Sequence, residues 1–258
     1  MGFNKSGRGK ILMNSFLISL SPAETVIATG DNYSTKIYES LYEIFPEIEK
    51  KSLRVSSFFG YFFENSFILG KESNYKIMIT VKKIEYFSSI IQKLFRKALN
   101  KETFFIDGNE FIIKGIISND KIWTGYYNLD EIMEKNQDEL YDNLKIKIVT
   151  PVIDSKGKFV FGFDKIFFEI MDSFERYVEE NFDYLKENIR NIIRVKREKY
   201  YIKDIEFDSE IKKSYLGEFE IEIQEKEYIN LIHAIFQFSK YSGIGKMSEY
   251  GFGQILIK

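Results

Sequence analysis

The apolar positions of the chain follow strand and helix periodicities in the same order twice. In the first half, residues 11–19 are rich in apolar side chains and predict a strand. Residues 33–45 carry apolar side chains at helical spacing, and Pro46 ends that predicted helix. Two runs rich in β-forming residues follow at 54–63 and 75–81, and they predict the next two strands.

A second helix and a hairpin complete the first half. Residues 84–99 place their apolar side chains on one helical face. Short predicted strands at 103–106 and 110–117 flank Asp107-Gly108, a pair typical of a β-hairpin turn. The order strand, helix, strand, strand, helix, strand is that of the ferredoxin-like fold.

The second half repeats this order with longer helices. Its predicted elements are a strand at 144–152, helical residues at 163–193 with a break near Asn181, strands at 195–208 and 215–224, a helix at 226–239 and a strand at 254–257. We therefore predict an α+β protein of two tandem ferredoxin-like domains, residues 1–118 and 144–258. The polar, acidic residues 119–143 are predicted to link them.

Composition excludes several classes of protein. The 37 basic and 39 acidic side chains give a net charge of −2, so a nucleic-acid surface would have to be a local cluster of Lys and Arg. The absence of cysteine excludes disulfides and thiolate metal sites, and a single histidine excludes a His-rich metal centre. No apolar run approaches the ~20 residues of a membrane span. These features predict a cytoplasmic protein with no cofactor, no metal and no membrane segment.

Four glycines lie between the last predicted helix and the last predicted strand. They are Gly243, Gly245, Gly251 and Gly253. Paired glycines let a backbone approach a ligand closely and direct its N–H groups at an anion. A cation, a hydroxyl donor and an aromatic ring lie between them, and another cation precedes them; these are Lys246, Ser248, Tyr250 and Lys240. The same glycines also fit a tight turn from helix to strand.

The spacing of this segment is longer than a turn requires. Glycine, hydrophobic, glycine, five residues with a basic first member, glycine, aromatic, glycine resembles the glycine-rich loop of the CRISPR repeat-RNA endoribonucleases of the RAMP superfamily. The resemblance implies RRM-like tandem domains that bind CRISPR repeat RNA and process pre-crRNA into guide RNAs without a metal. Other CRISPR effector subunits and a second copy of the chain are further candidate partners. A non-cleaving repeat-RNA binder and a RAMP subunit of an effector complex are the alternatives.

Two regions supply the predicted RNA contacts. The first is the glycine-rich segment, with Lys240, Gly243, Gly245, Lys246, Ser248, Gly251 and Gly253. The second is a basic run in which strand alternation places Lys199, Tyr201 and Lys203 on one face, a mixture of charge and ring that suits an RNA groove. A solvated strand face, balanced by Glu198 and Asp204, explains the second region equally well.

The family resemblance indicates the catalytic residues less directly than the RNA-binding residues. Members of the family that cleave place a histidine on or just after the first helix, together with Tyr and Lys. Residues 33–54 contain no histidine, so the predicted catalytic group is Tyr38, near the expected position, with Lys36 and Arg54 as cations. The only histidine, His233, lies beside the apolar face of the last helix and is predicted to be a packed or interdomain side chain.

Overall fold

Twelve strands and six α-helices make up the described part of the chain. The structure is a computed structural model that describes residues 12–29, 33–61, 66–153, 162–207 and 210–258. The strands are β1 (Leu12–Pro22), β2 (Val26–Thr29), β3 (Leu53–Val55), β4 (Ser66–Leu69), β5 (Tyr75–Val81), β6 (Thr103–Ile106), β7 (Asn109–Ile117), β8 (Gly125–Asn128), β9 (Asn143–Ile153), β10 (Ile193–Phe207), β11 (Glu210–Ile223) and β12 (Ile255–Ile257). The helices are α1 (Tyr33–Ile44), α2 (Phe87–Asn100), α3 (Leu129–Met133), α4 (Phe163–Val178), α5 (Asp183–Ile192) and α6 (Ile229–Ser242).

The first sheet is built around β1. Its strand order is β3-β5-β1-β7-β6, all antiparallel neighbours, and β8 continues beside β1 beyond the end of β7. Alternate residues of β1 point to opposite faces. Phe16, Ile18 and Leu20 lie in an apolar core with Ile37 of α1 and Leu94 of α2. The opposite face of this sheet therefore has to be covered by another part of the chain.

The second sheet has the order β10-β11-β9-β12. This is the strand order of a ferredoxin-like fold, in which the first and third strands are central and the second and fourth are at the edges. Apolar residues of β9 and β11, such as Ile146 and Phe219, form one core with Phe167 of α4 and Ile235 of α6. The tandem ferredoxin-like architecture predicted from the sequence is confirmed.

The second domain covers the open face of the first sheet. Met13 of β1 belongs to the apolar core that also contains Phe238 and Tyr241 of α6. The Tyr177 hydroxyl of α4 donates to the carbonyl oxygen of Lys82, at the end of β5, over 3.0 Å. Several polar residues of the first domain are buried in this region, among them Ser15, Ser52, Arg54, Ser56 and Thr80. The two domains thus meet across a face that contains both apolar and polar residues.

The predicted linker contains regular structure. Strand β8 pairs with β1, while Tyr127 of β8 and Leu129 of α3 are buried in the core of the second domain. The division at residues 118 and 144 remains our proposal for the domain limits. Strands β2 and β4 form a separate two-stranded sheet that the periodicity did not predict.

Some predicted strand positions cannot be compared with the structure. Ile11, Phe62, Phe63 and Asp208 lie outside the described residues. Within those residues, no helix has the length and apolar character needed to cross a membrane.

Candidate nucleic-acid interface

The glycine loop, residues 243–253, connects α6 to the strand β12. Gly243 ends the helix with a positive φ of 75°, and its N–H donates to the Ser239 carbonyl over 2.9 Å. The N–H of Ile244 donates to the Gly253 carbonyl, which closes the loop on itself. The N–H of Lys246 donates to the carbonyl of Ile153, so the loop also follows the end of β9.

Backbone packing requires the four glycines of this loop. All four have positive φ values, a region that residues with a Cβ rarely occupy. A Cβ on Gly253 would lie 1.9 Å from the Ile244 carbonyl oxygen, and one on Gly251 would lie 2.7 Å from Ser56 Cα. Gly245 is equally confined, because its Cβ would lie 2.5 Å from the Ile153 oxygen. The glycine loop is therefore packed closely against the ends of β9 and β3.

Three of the four glycine N–H groups are already used within the protein and are not free to form the anion cradle that the sequence suggested. Those of Gly243, Gly251 and Gly253 donate to the carbonyls of Ser239, Ser248 and Pro151. Gly243, Gly251 and Gly253 are also buried, whereas Lys246 is exposed and Ser248 and Tyr250 are partly exposed. Any RNA contact made by the loop therefore comes from residues 245–250, which we call the exposed arc.

Arg54 of β3 lies beneath the glycine loop and is fully buried. Its Nε donates to the Ser248 carbonyl over 2.9 Å, and one terminal nitrogen donates to the Phe252 carbonyl over 3.3 Å. The other terminal nitrogen donates to the side-chain oxygen of Gln254. Gln254 is itself held by Thr150, whose hydroxyl accepts from the Gln254 N–H and donates to the Gly251 carbonyl. These bonds join the first domain to the loop of the second.

This position changes the role of Arg54. Burial lowers the pKa of its guanidinium to about 9, which still leaves it charged at neutral pH. A buried charge is tolerated when hydrogen-bond acceptors surround it, and here the loop carbonyls supply them. We predicted Arg54 as a catalytic cation, but the side chain is inaccessible to RNA and its donors are already used. We reassign it as the residue that holds the loop.

Tyr38 of α1 also meets the glycine loop. Its ring lies 4.9 Å from the Tyr250 ring and 4.7 Å from the Tyr42 ring, and its hydroxyl accepts a hydrogen bond from the Lys51 N–H over 3.1 Å. Burial raises the pKa of Tyr38 well above its ordinary value. A general base at neutral pH needs the opposite shift. The ring therefore packs the loop, and its hydroxyl positions Lys51.

Lys36 lies on another side of α1. Residues two apart on a helix differ by about 200° in direction, so Lys36 and Tyr38 point away from each other. The Lys36 ammonium is 2.6 Å from the Asp107 carboxylate in the β6–β7 turn. The structure thus separates the three predicted catalytic residues: Tyr38 is at the glycine loop, Arg54 is beneath it, and Lys36 is paired elsewhere.

The predicted basic strand is β10, which has a long exposed stretch. Cross-strand neighbours place Lys199 opposite Glu218, Tyr201 opposite Leu216 and Lys203 opposite Ser214. Lys199 and Tyr201 line a groove of about 460 Å³, and the Lys199 ammonium lies 5.9 Å from the centre of the Tyr201 ring. The predicted combination of cation and ring on one face is present.

Much of the surrounding charge is neutralised. Glu218 and Glu220 of β11 both contact Lys145, at 2.7 and 3.3 Å, and Glu222 contacts Lys196 at 3.1 Å. Lys199 and Lys203 have no ion pair with any residue that the structure describes. They are therefore the cations of this face that are available to a phosphate.

The end of β10 reaches the glycine loop. The Phe207 ring lies 5.5 Å from the Phe252 ring and 6.2 Å from the Tyr250 ring. At about 3.3 Å per strand residue, Lys203 is roughly 13 Å from that contact and Lys199 roughly 26 Å. Lys246 of the exposed arc is exposed and pairs with Ile153 at the end of β9. Lys240 is half-buried at the end of α6, with its ammonium 5.4 Å from the Tyr241 ring centre.

His233 is a packed residue, as the sequence suggested. It is buried in α6, and Nε2 donates to the Tyr141 carbonyl over 2.9 Å. Burial lowers the pKa of this imidazole below its ordinary value, so it is neutral at pH 7. Nine residues, about 13.5 Å of helix, separate it from the end of α6 where the glycine loop begins.

Three further residues at this site were not predicted. Gln254 accepts from Arg54, Glu249 lies in the exposed arc, and Lys82 follows β5 at the first sheet. The charges of Arg54, Glu249 and Lys51 all act on Lys82. These residues come together because β3 pairs with β5 and because the two domains are in contact. Neither contact can be predicted from local periodicity.

Solved structures with the same arrangement cover nearly the whole chain. A Cas6 in a substrate-mimic complex has a TM-score of 0.70 at 11% identity, over 96% of this chain and 100% of the other. Thermus thermophilus Cas6 has a TM-score of 0.68 at 11% identity, over 98% and 100%. The chain has the Cas6 fold. A Cas6-related protein of Pyrococcus furiosus is also similar, with a TM-score of 0.58 at 13% identity over 97% and 99%.

The resemblance predicted from the glycine loop is confirmed at the level of the fold. No protein-family model matches the chain, and no curated protein sequence matches it. At 11–13% identity, the likeness to Cas6 is one of architecture. The roles of individual residues have to be argued from the chain itself.

Replacing Arg54 tests its role in holding the Cas6 fold together. We expect Arg54→Met to lower the free energy of unfolding by about 3 kcal/mol or more, because the buried Phe252 carbonyl and the buried Gln254 side-chain oxygen lose the Arg54 donor. Urea denaturation measures the change. Arg96→Met, at an exposed position of α2, is the matched control and should change stability by less than about 1 kcal/mol. Equal effects in the two variants would contradict this role.

Substitution of two glycines with similar φ values distinguishes the cost of backbone strain from the cost of a steric clash. Gly108 has a φ of 73° and open space around its Cβ position, whereas Gly251 has a φ of 84° and meets the backbone of Val55 and Ser56. We expect Gly108→Ala to destabilise by about 1 kcal/mol and Gly251→Ala by about 3 kcal/mol, since the second adds a clash that only domain displacement relieves. Thermal unfolding of both variants tests this, and an equal loss would show that packing contributes nothing.

Proposed function

We propose that the chain binds CRISPR repeat RNA and cuts it once per repeat without a metal ion, as a Cas6-type endoribonuclease. The observation that carries the proposal is the Cas6 fold together with a glycine loop clamped between its two domains. One similar Cas6 structure is described as a substrate-mimic complex. The RNA would follow the exposed face of β10 to the exposed arc.

Local charge supports this path despite the acidic balance of the whole chain. Lys199 and Lys203 of β10, Lys246 of the exposed arc and Lys51 before β3 are all exposed. Tyr201, also exposed, offers a ring on which a base can stack. Phosphate contacts of this kind supply a large share of the affinity of a protein for nucleic acid and make that affinity depend on salt.

The chemistry would use the RNA's own 2′-hydroxyl. Its oxygen attacks the adjacent phosphorus, the bond from phosphorus to the 5′-oxygen breaks, and a base takes the proton of the 2′-hydroxyl. The products are a 2′,3′-cyclic phosphate and a 5′-hydroxyl. The protein has to hold the two oxygens in line and stabilise charge on the phosphorane. Tyr38 is not suited to act as the base at neutral pH because burial raises its pKa. His233 is not suited because it is buried in α6, away from the glycine loop.

A binder without cleavage is the second candidate function. It is favoured by one specific observation: the first domain has no histidine, and burial raises the pKa of the tyrosine nearest the loop. Such a protein would keep the β10 face and the exposed arc. Incubation with the repeat distinguishes the two functions directly.

The salt dependence of binding tests the β10 path. For the wild type, log affinity for a single-stranded repeat should fall linearly with log salt, by about 0.7 per phosphate contact. Lys199→Ala/Lys203→Ala should make the slope shallower by about 1.4, the loss of two contacts. Lys93→Ala/Lys97→Ala, which removes two paired lysines of α2, is the control and should leave the slope unchanged. An unchanged slope in the first variant would remove β10 from the interface.

The end groups of the products test the chemistry. We expect a 2′,3′-cyclic phosphate and a 5′-hydroxyl by mass spectrometry, no loss of rate in excess EDTA, and no cutting of a repeat with 2′-deoxyribose at the cleavage position. His233→Gln, which can still donate to Tyr141, should cut at the wild-type rate. A 5′-phosphate product or inhibition by EDTA would contradict the mechanism. Tight binding of an intact repeat would favour the non-cleaving function.

A further inference from the structure

Lys82 is fixed at the contact between the two domains. Its N–H donates to the Ser52 carbonyl over 2.8 Å, beside the start of β3, and its carbonyl accepts from the Tyr177 hydroxyl of α4 over 3.0 Å. The backbone of Lys82 is therefore held by the first domain on one side and by the second on the other. The side chain starts from a defined point next to the exposed arc.

The ammonium group of Lys82 has no acceptor. Among the described residues, none forms a hydrogen bond or ion pair with it. The nearby cation Arg54 differs in this respect, since its donors bind the glycine loop. Lys82 as a whole is half-buried, with part of its surface exposed to solvent. It is thus a cation at the domain contact that is held in place yet has no structural partner.

The surroundings of Lys82 favour the neutral form of its amine. Burial is the main cause and, with the fields of Arg54 and Lys51, lowers the pKa of Lys82 to about 8; Glu249 alone acts in the opposite direction. Of the other neighbours, Lys83 is paired with Glu49, and Tyr177 is an uncharged hydroxyl whose own pKa is raised by burial and by Glu85. An amine with this pKa has both protonation states available near neutral pH, as a proton-transfer group requires.

We propose that Lys82 is the general base of the cleavage reaction. The inference rests on the proposed function, for which no general base has yet been assigned, and it identifies that base. The neutral Lys82 amine accepts the proton of the 2′-hydroxyl as the 2′-oxygen bonds to phosphorus. The resulting ammonium group then stabilises the negative charge on the phosphorane. The bond to the 5′-oxygen breaks, and that oxygen takes a proton from water.

Single-turnover cleavage across pH 6 to 9.5 tests the assignment. The wild-type rate should rise about tenfold per pH unit at low pH and level off near the pKa of about 8, because only the neutral amine is active. Lys82→Arg keeps the charge but cannot lose its proton, and it should cut at least 100-fold more slowly at every pH. Its affinity for a repeat with 2′-deoxyribose at the cleavage site should stay within threefold of wild type.

Two controls separate proton transfer from structural damage. Lys83→Arg, at the exposed and paired neighbour, should cut at the wild-type rate. Lys82→Ala should be inactive and should recover cutting when a small primary amine such as ethylamine is added, with a pH dependence that follows the pKa of the added amine. Rescue of this kind does not occur when a substitution merely unfolds the site.

The outcomes are distinct. Lys82→Arg that cuts within threefold of wild type with an unchanged pH profile would overturn the role of Lys82 and leave the proposed function intact. Loss of repeat binding by Lys82→Arg, or no rescue of Lys82→Ala by amines, would also overturn proton transfer by this residue. A wild-type protein that binds the repeat and leaves it uncut would refute the proposed cleavage itself, and the assignment of a base with it.

Discussion

The buried guanidinium of Arg54 sets the geometry of the candidate site. A charge removed from water has to be surrounded by acceptors, and this one finds them on residues 194 to 200 positions away in the sequence. The strand β3 supplies the cation, and the glycine loop and Gln254 supply the oxygen atoms that surround it. The position of the exposed arc relative to α1 and β5 follows from this one set of bonds. The candidate site is therefore formed by residues of both domains.

The order of elements could be read from the sequence because strands and helices leave local periodicities. Helix α1 begins at the predicted residue, β6 has the predicted limits, and the break near Asn181 separates α4 from α5. Strands β2, β4 and β8 were not predicted, since each is short and pairs with a partner far along the chain. The equally short β6 was predicted because the Asp107-Gly108 turn marks its hairpin with β7, whereas pairing between distant segments has no local pattern.

The candidate site was predictable in location and less so in detail. The glycine pattern pointed to a loop that the structure places at the contact between the two domains, and strand alternation placed Lys199 and Tyr201 on one face. The pattern did not show which way a side chain points once the domains assemble. Lys36 and Tyr38 diverge because of the helical twist between them, and Arg54 turns inward because β3 faces the second domain. Lys82 becomes relevant only when β3 and β5 are paired, with Leu53 opposite Val81.

The close approach of Gly253 to the Ile244 carbonyl bears on how the glycine pattern persists over evolution. At this spacing any side chain displaces backbone, so the requirement for glycine comes from the packing of the folded chain and is independent of any function. Any related chain that has to fold in this way would keep the same four glycines, whether or not it is catalytic. The four-glycine pattern is therefore a record of shared architecture, and differences in activity between chains of this fold would lie in side chains that the loop does not need for its packing, such as those at positions 51 and 82.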